Sequence, residues 1–345
     1  MRIRARNVFN KGSRARAIPK NNIENEYYGI TVTTPYNEDI IVESRKRLGI
    51  LVSRENFDMC LINSAIKNGV IFKDETFVKK ISIKHNLVKV YTKNNVIYET
   101  KYVIGADGPI STVARSVNLF KKPNPRLSGL ALQTTIPVTD VSEIVNPRFI
   151  HTFLGFLKFG YGWIFPYKQT LNVGIGGQMQ SLNNPIELAR LFIKKIPKLN
   201  SLKIPKFRPH ILPIGGIKKN ICTKRVFLVG DAAGCVDAMT GEGIYYAMKS
   251  GKIAAKVITS SSSEKNIDYW SKFKSEIWKN LRASTIMALI SGLVPGLSGY
   301  QLTDPSISKH LIATTIGEEK YAQYYYKFLI DLIKKSPEYV YQRIF

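Results

Sequence analysis

The stretch "RVFLVGDAAGCVDAMTGEGIYYAMKSG", residues 225–251, decides the fold. Val226 to Val229 are apolar without alternation, the pattern of a parallel strand covered on both faces. The run stops at Gly230-Asp231, so the carboxylate emerges at the carboxyl end of the strand, where open α/β sheets bind ligands. Ala232, Ala233 and Gly234 are small and let a ligand lie against the backbone. Gly241-Glu242-Gly243 then opens a helix at Ile244, whose first N–H groups and positive dipole end suit a phosphate or an anionic ring edge. Ile244, Ala247, Met248, Gly251, Ala255 and Ile258 are the expected buried stripe of that helix, with Gly251 permitting close approach to a sheet. Taken alone, a Gly-Asp followed by Gly-x-Gly is as often a plain strand–helix junction as a binding site.

Working outward, "SRENFDMCLINSAIKNGV" predicts a helix with Ser53 as N-cap, Arg54 in its first turn and Phe57, Leu61, Ile62, Ala65 and Ile66 at helical spacing, ending at Gly69. "YYGITVTTP" and "EDIIVES" read as strands about a turn, and "FVKKISIK", "LVKVYTK" and "VIYETKYVIGADG" as further strands, the last ending in an Asp107-Gly108 turn. Residues 129–215 are rich in β-branched and aromatic residues and predict an antiparallel sheet. Within them, alternation in "YGWIFPYKQTLNVGIGG" puts Tyr161, Trp163 and Phe165 on one strand face, and Pro166 ends that strand. "SSSSEK" near residue 260 is a linker, and from Asp268 the chain is mainly helical. The expected fold class is α/β: an α/β domain (25–120 and 216–262) interrupted by an antiparallel, mostly β domain of α+β character (121–215), and then a helical C-terminal region (263–345). Residues 1–24 read as a basic arm without strand or helix periodicity.

Composition bounds the partners. At 345 residues and 44% hydrophobic content the chain can bury a sizeable core, which excludes a disordered tail protein. Lys and Arg number 51 against 25 Asp and Glu, a net charge of +26 that favours an anionic partner. Those charges are spread along the chain with no nucleic-acid reading module, so no specific nucleic acid is expected. Cys60, Cys222 and Cys235 show no CxxC spacing, and the start lacks a signal-peptide core, which points to a reducing, cytoplasmic setting. The four histidines form no ligand cluster, and no metal is expected. The uncharged run 283–303 is interrupted by glycines and Pro295 and reads as a helix and loop packed on the body, with membrane contact as the other reading.

The complete run 225–251 resembles the second flavin-contacting motif of the FAD-dependent hydroxylase and geranylgeranyl reductase superfamily. The resemblance implies an FAD/NAD(P)-binding Rossmann-like domain at 25–120 and 216–262 with a substrate-binding β domain at 121–215. It implies that Asp231 holds the ribityl chain, that Gly230 and Ala232 beside it contact the cofactor, and that Gly241, Glu242, Gly243 and Ile244 lie near the pyrophosphate and isoalloxazine of FAD. "YVIGADGPISTVAR" is similar to that superfamily's Asp-Gly motif, which implies flavin proximity for Asp107 and Gly108, and the residue matching Arg54 pairs there with an FAD phosphate. The Tyr-x-Trp-x-Phe-Pro, seven residues, Gly-x-Gly pattern at 161–176 resembles the geranylgeranyl reductases, including the archaeal digeranylgeranylglycerophospholipid reductases. It implies an isoprenoid lipid substrate lying on Tyr161, Trp163 and Phe165, with NAD(P)H, ferredoxin or another donor protein supplying electrons. It also implies peripheral contact with the anionic inner face of the membrane. Lys158 departs from the family, which often has proline there.

That family opens with a strand, GxGxxG and a helix; residues 1–20 hold one glycine and no such unit. The expectation is therefore a reductase lacking its nucleotide-binding start, through a late start assignment, decay, or supply of the unit by another subunit. No catalytic acid is assigned. The alternatives are an FAD-dependent monooxygenase of the same fold and a non-catalytic lipid-binding remnant.

Overall fold

The computed structural model describes residues 3–6, 22–120, 123–293, 310, 313–314 and 319–344. In chain order it forms β1 (Ile3–Arg6), β2 (Ile23–Tyr27), β3 (Gly29–Thr33), β4 (Asp39–Glu43), β5 (Gly49–Val52), α1 (Arg54–Lys67), β6 (Val78–Lys84), β7 (Leu87–Thr92), β8 (Ile97–Thr100), β9 (Val103–Gly105) and α2 (Thr112–Ser116). There follow β10 (Ser128–Pro137), β11 (Phe149–Phe153), β12 (Gly160–Pro166), β13 (Thr170–Gln178), α3 (Pro185–Lys194), β14 (Arg208–Pro213), β15 (Val226–Leu228), α4 (Ile244–Ile258), α5 (Lys265–Phe273), α6 (Lys279–Leu293) and α7 (Tyr321–Ile344). They divide into two compact units: Met1–Asp58, Gly129–Ile211 and Ile286–Phe345 make the first, Met59–Ser128 and Leu212–Thr285 the second.

The first unit is built on a seven-stranded sheet of order β14-β10-β13-β12-β11-β3-β4. In it β10–β13, β13–β12, β12–β11 and β3–β4 pair antiparallel, and β11 lies parallel to β3, with Phe149 facing Gly29 and Phe153 facing Thr33. The strands at 29–33 and 39–43, which the sequence grouped with residues 25–120, thus hydrogen-bond into the same sheet as those of 121–215. Strand β12 separates two cores by its alternation. Ile164 joins Leu132, Leu171, Val173 and Ile175 on one face, under α3, while Trp163 and Phe165 join Tyr27, Ile30, Leu51 and Ile150 on the other.

Two features of this unit depart from the sequence reading. Within 129–215 lies the helix α3, started by Pro185 at N1 and buried through Ala189, Phe192 and Ile193. High β-branched content across the flanking strands masked the helical period of its ten residues. In the basic arm, Ile3–Arg6 pairs antiparallel with β5, Ile3 opposite Val52 and Arg6 opposite Gly49. The segment alternates apolar and basic residues, but four residues are too few to reveal a period. The rest of that arm up to residue 21, and residues 294–303 of the uncharged run, lie outside the described residues.

The second unit holds the parallel pair β9 and β15, in register from Val103 with Val226 to Gly105 with Leu228. Beside it stands the antiparallel sheet β6-β7-β8. Val226 to Val229 are buried, as an unalternating apolar run requires, and pack with Val113, Ile253, Val257 and Phe273 in one core. Gly105 admits this packing: a Cβ there would lie 2.8 Å from both Leu228 and Val113. Among the described residues no helix is long and apolar enough to cross a membrane.

Candidate functional site

At the carboxyl end of the β9–β15 pair the two strands leave side by side. The Val229 N–H donates to the Gly105 carbonyl at 2.9 Å, after which one strand runs to Asp107 and the other to Asp231. Gly230 turns with φ +54, residues 230–233 make one 3-10 turn, and Gly234 ends it at φ +72. A left-handed backbone at both ends of so short a turn is open to glycine at little strain. Ala232 and Ala233 are buried, and the half-buried Asp231 is the acidic group at the start of this turn.

The glycines after it are placed by a buried carboxylate. Asp237, fully buried, accepts through Oδ1 from the N–H groups of Met239 at 2.9 Å and Thr240 at 3.1 Å and from the Ser284 hydroxyl at 2.7 Å. Its own N–H donates to the Glu242 carbonyl and its carbonyl accepts from Gly241, both at 2.8 Å. This loop delivers Gly241 at φ +66 and sets Gly243 as N-cap of α4. Glu242 is buried, and Ile244 is the buried first residue of the helix. A Cβ on Gly243 would stand 3.2 Å from Asp231 Oδ1. The α4 N-terminus has no side-chain cap and no acid within its first turn, and its positive dipole end has the Asp231 carboxylate beside it at Gly243.

The buried stripe of α4 is rotated from the expected one: Ile244, Tyr246, Ser250, Ile253, Ala254 and Val257 are buried, and a Cβ on Gly251 would meet nothing within 4 Å. Two polar side chains account for the error by finding partners inside. The Ser250 hydroxyl accepts from Gly230 N at 2.9 Å and donates to the Ala247 carbonyl at 3.0 Å. Tyr246 takes a hydrogen bond from Asn280 Nδ2 at 2.7 Å. Ser250 thereby ties the helix to the Gly230 turn, a role a sequence reading that sends serine outward misses. In the same way Leu61 and Ile66 of the predicted α1 stripe are exposed, and Phe57 alone of that stripe is buried.

Lys218 also escaped the sequence reading, being one of 51 basic residues. Its ammonium donates to the Ala232 carbonyl at 3.2 Å and lies 3.8 Å over the Phe120 ring, against the Gly230–Ala233 turn. Burial pushes it down to about 8, against the opposing pull of Cys235 and Asp231. The Cys235 thiol, fully buried beneath the turn, is pushed up to about 12 by burial, and Cys222 to about 11. Both are closed to thiolate chemistry at neutral pH.

Asp107, though exposed, turns its carboxylate back onto its own chain. Its Oδ1 accepts from the Ser111 hydroxyl at 2.6 Å and its Oδ2 from the N–H groups of Thr112 at 2.7 Å and Val113 at 3.0 Å, which fixes the start of α2. Gly108, at φ +81, has open space where a Cβ would be. Arg54 belongs to the first unit, where its guanidinium grips Asp58 one turn along α1 through Nε at 3.0 and 3.1 Å and Nη2 at 2.8 Å.

The aromatic strand is likewise in the first unit. Tyr161, Trp163 and Phe165 form a ladder, with ring centroids 6.1 Å and 6.0 Å apart in sequence and the second pair stacked. Their fit explains the Gly-x-Gly downstream. Trp163 lies opposite Gly174, and its indole crosses β13 so closely that a Cβ on Gly174 would stand 2.5 Å from it and 2.4 Å from the Leu132 carbonyl; one on Gly176 would be 3.2 Å away. The indole N–H donates to Asn172 Oδ1 at 3.0 Å, which satisfies a polar atom in an otherwise apolar layer.

A parallel strand pair, two small-residue turns at its carboxyl edge and an uncapped helix start define a dinucleotide-type cofactor protein of the α/β class. The sequence matches the FAD binding domain family over residues 10–268, and the chain belongs to that family. FAD is the family's cofactor, and the second unit fits it: an open position at Gly108, a glycine-led helix start at Gly243, and beside it a strand-tip carboxylate for hydroxyl groups. A relative of 34% identity over 242 residues is an uncharacterised protein of Methanosarcina barkeri; the match covers 69% of this chain but 60% of that protein's length. The digeranylgeranylglycerophospholipid reductase of Methanococcus vannielii is 29% identical over 322 residues, 90% of this chain and 79% of its own. In fold, the chain is similar to a geranylgeranyl bacteriochlorophyll reductase-like protein of Thermoplasma acidophilum, with TM-score 0.76, 24% identity, and 94% and 84% of the two chains covered.

Proposed function

We propose that this protein is a flavin-dependent reductase that saturates carbon–carbon double bonds in the geranylgeranyl chains of prenyl lipids. The observation that carries the reading is the folded course of residues 225–251: parallel strand, Gly230 turn, Asp237-ordered loop and uncapped α4. The sequence likeness to an archaeal reductase of that substrate class supports it. Bound FAD would supply the hydride chemistry. Asp231 would accept hydrogen bonds from hydroxyls of the ribityl chain, and the N–H groups at Gly243 and Ile244 would take an anionic edge or phosphate. Asp107 would act at one remove, holding α2 and the Gly108 turn in position. Arg54 would pair with a phosphate in competition with Asp58. An isolated alkene is a poor hydride acceptor, so orientation and exclusion of water must supply the rate. In the first unit the half-buried Tyr161 would be the ring of the ladder that an isoprenoid chain meets, with Trp163 and Phe165 buried behind it as its support. The electron donor would be NAD(P)H or a ferredoxin-like protein, and the setting cytoplasmic.

The test is anaerobic incubation of the protein with FAD, dithionite and a digeranylgeranyl phospholipid, followed by mass spectrometry. A gain of two hydrogens per reduced bond supports the reading; a gain of one oxygen under air identifies a monooxygenase instead. Protein that retains lipid yet takes up no flavin would be a binding remnant. Asp231→Ala removes a charged acceptor and should weaken FAD binding about 10- to 100-fold with the fold retained, as read by flavin fluorescence.

A further inference from the structure

Helix α7 is apolar on two opposite sides. Tyr321, Tyr324 and Phe328 are buried in the first unit. Tyr326, Ile330 and Ile333 follow one another at steps of four and three residues, and at about 100° per residue they share the side facing away from the buried one. They are 72%, 50% and 72% exposed. A surface helix ordinarily keeps one apolar stripe for the core and polar residues outside, so an outward row of two isoleucines and a tyrosine calls for a cover of its own. Lys327 and Lys334, both exposed, flank the row. Lys327 is steadied by His310, whose Nε2 lies 2.9 Å from the ammonium.

Charge selects the cover. The chain carries +26, and a second copy docked isologously would set the lysines flanking this row against like charge on the other copy. An anionic bilayer surface complements the same face: isoleucines enter the headgroup–acyl boundary, the tyrosine ring sits at the interface, and lysines reach the phosphates. We propose that the Tyr326, Ile330 and Ile333 face of α7 is a membrane-docking stripe that lays this helix in the plane of an anionic bilayer. The inference goes beyond the reductase reading and stands on this helix alone, whatever the second unit binds.

The experiment is co-sedimentation of the full chain with phosphatidylcholine vesicles, with and without phosphatidylglycerol, at low salt and at about 0.5 M salt, where screening shrinks to about 4 Å. A protein of this charge adheres to anionic vesicles at low salt through any lysine, so the salt-resistant fraction is the readout. Ile330→Ser with Ile333→Ser keeps every charge and should lower that fraction about tenfold. Tyr326→Trp gives a second measurement, since brominated acyl chains should quench the added indole on phosphatidylglycerol vesicles. Unchanged salt-resistant binding in the serine variant overturns the proposal, as does absence of bromine quenching. A serine variant that loses self-association in sedimentation velocity while binding vesicles as before would assign the face to a second copy and overturn it too.

Discussion

Trp163 and Gly174 are one fitted pair across β12 and β13. Gly174→Ala places a methyl 2.4 Å from the Leu132 carbonyl and 2.5 Å from the indole, so one of three tightly held groups must move. We expect a loss of about 1–3 kcal/mol, read as a lower midpoint in urea with red-shifted tryptophan emission. Lys218 yields a prediction in pH. Its amine is lowered in the fold to about 8, from an ordinary 10.5, by burial. Between these values the unfolded chain binds the proton that the folded chain has released, so stability from this group rises with pH across that window and is absent below it. Lys218→Met should remove that rise in thermal melts taken from pH 8 to 10.5. The aromatic alternation at 161–165 was readable because each ring is bulky and the period is two. Lys218 was not, because nothing in a lysine-rich sequence marks the one whose neighbours dry it out.

At the scale of elements, α4 shows where reading stopped. Its existence, its glycine entry at 241–243 and the strand before it follow from residue types alone. Its rotation did not, because Ser250 and Tyr246 were counted as outward and instead bond within the unit. Ser250→Ala should leave the buried Gly230 N–H without its acceptor, at about 1–3 kcal/mol, and loosen the turn that bears Asp231. The check is a chemical melt together with FAD titration, and both should weaken. A serine at the centre of an i, i+4, i+7 apolar series, as at 246, 250, 253 and 257, is the signal to look for. The strands β1, β2 and β5 and the helix α3 were missed for a different reason: their periods are short or framed by segments of opposite propensity.

For the whole molecule, placing the strand tips and the α4 entry in Met59–Ser128 and Leu212–Thr285 predicts a localised response to cofactor. On FAD addition, hydrogen exchange should slow at residues 105–116 and 229–247, with a stabilisation of about 2.7 kcal/mol at a hundredfold excess over Kd. Protection confined to the first unit would instead remove the cofactor from the β9–β15 edge. The division also tells how sequence and structure part company at this scale: residues 29–33 stand near the flavin-family segments in the chain, yet pair with β11 more than a hundred residues later and carry β4 with them, a long-range choice that no local pattern encodes. The two thiols raised to about 12 and about 11 leave a practical opening. A maleimide at neutral pH should react at Cys60 on α1 ahead of the other two, so a single fluorophore can be attached to the natural chain and used to follow cofactor uptake without altering a residue.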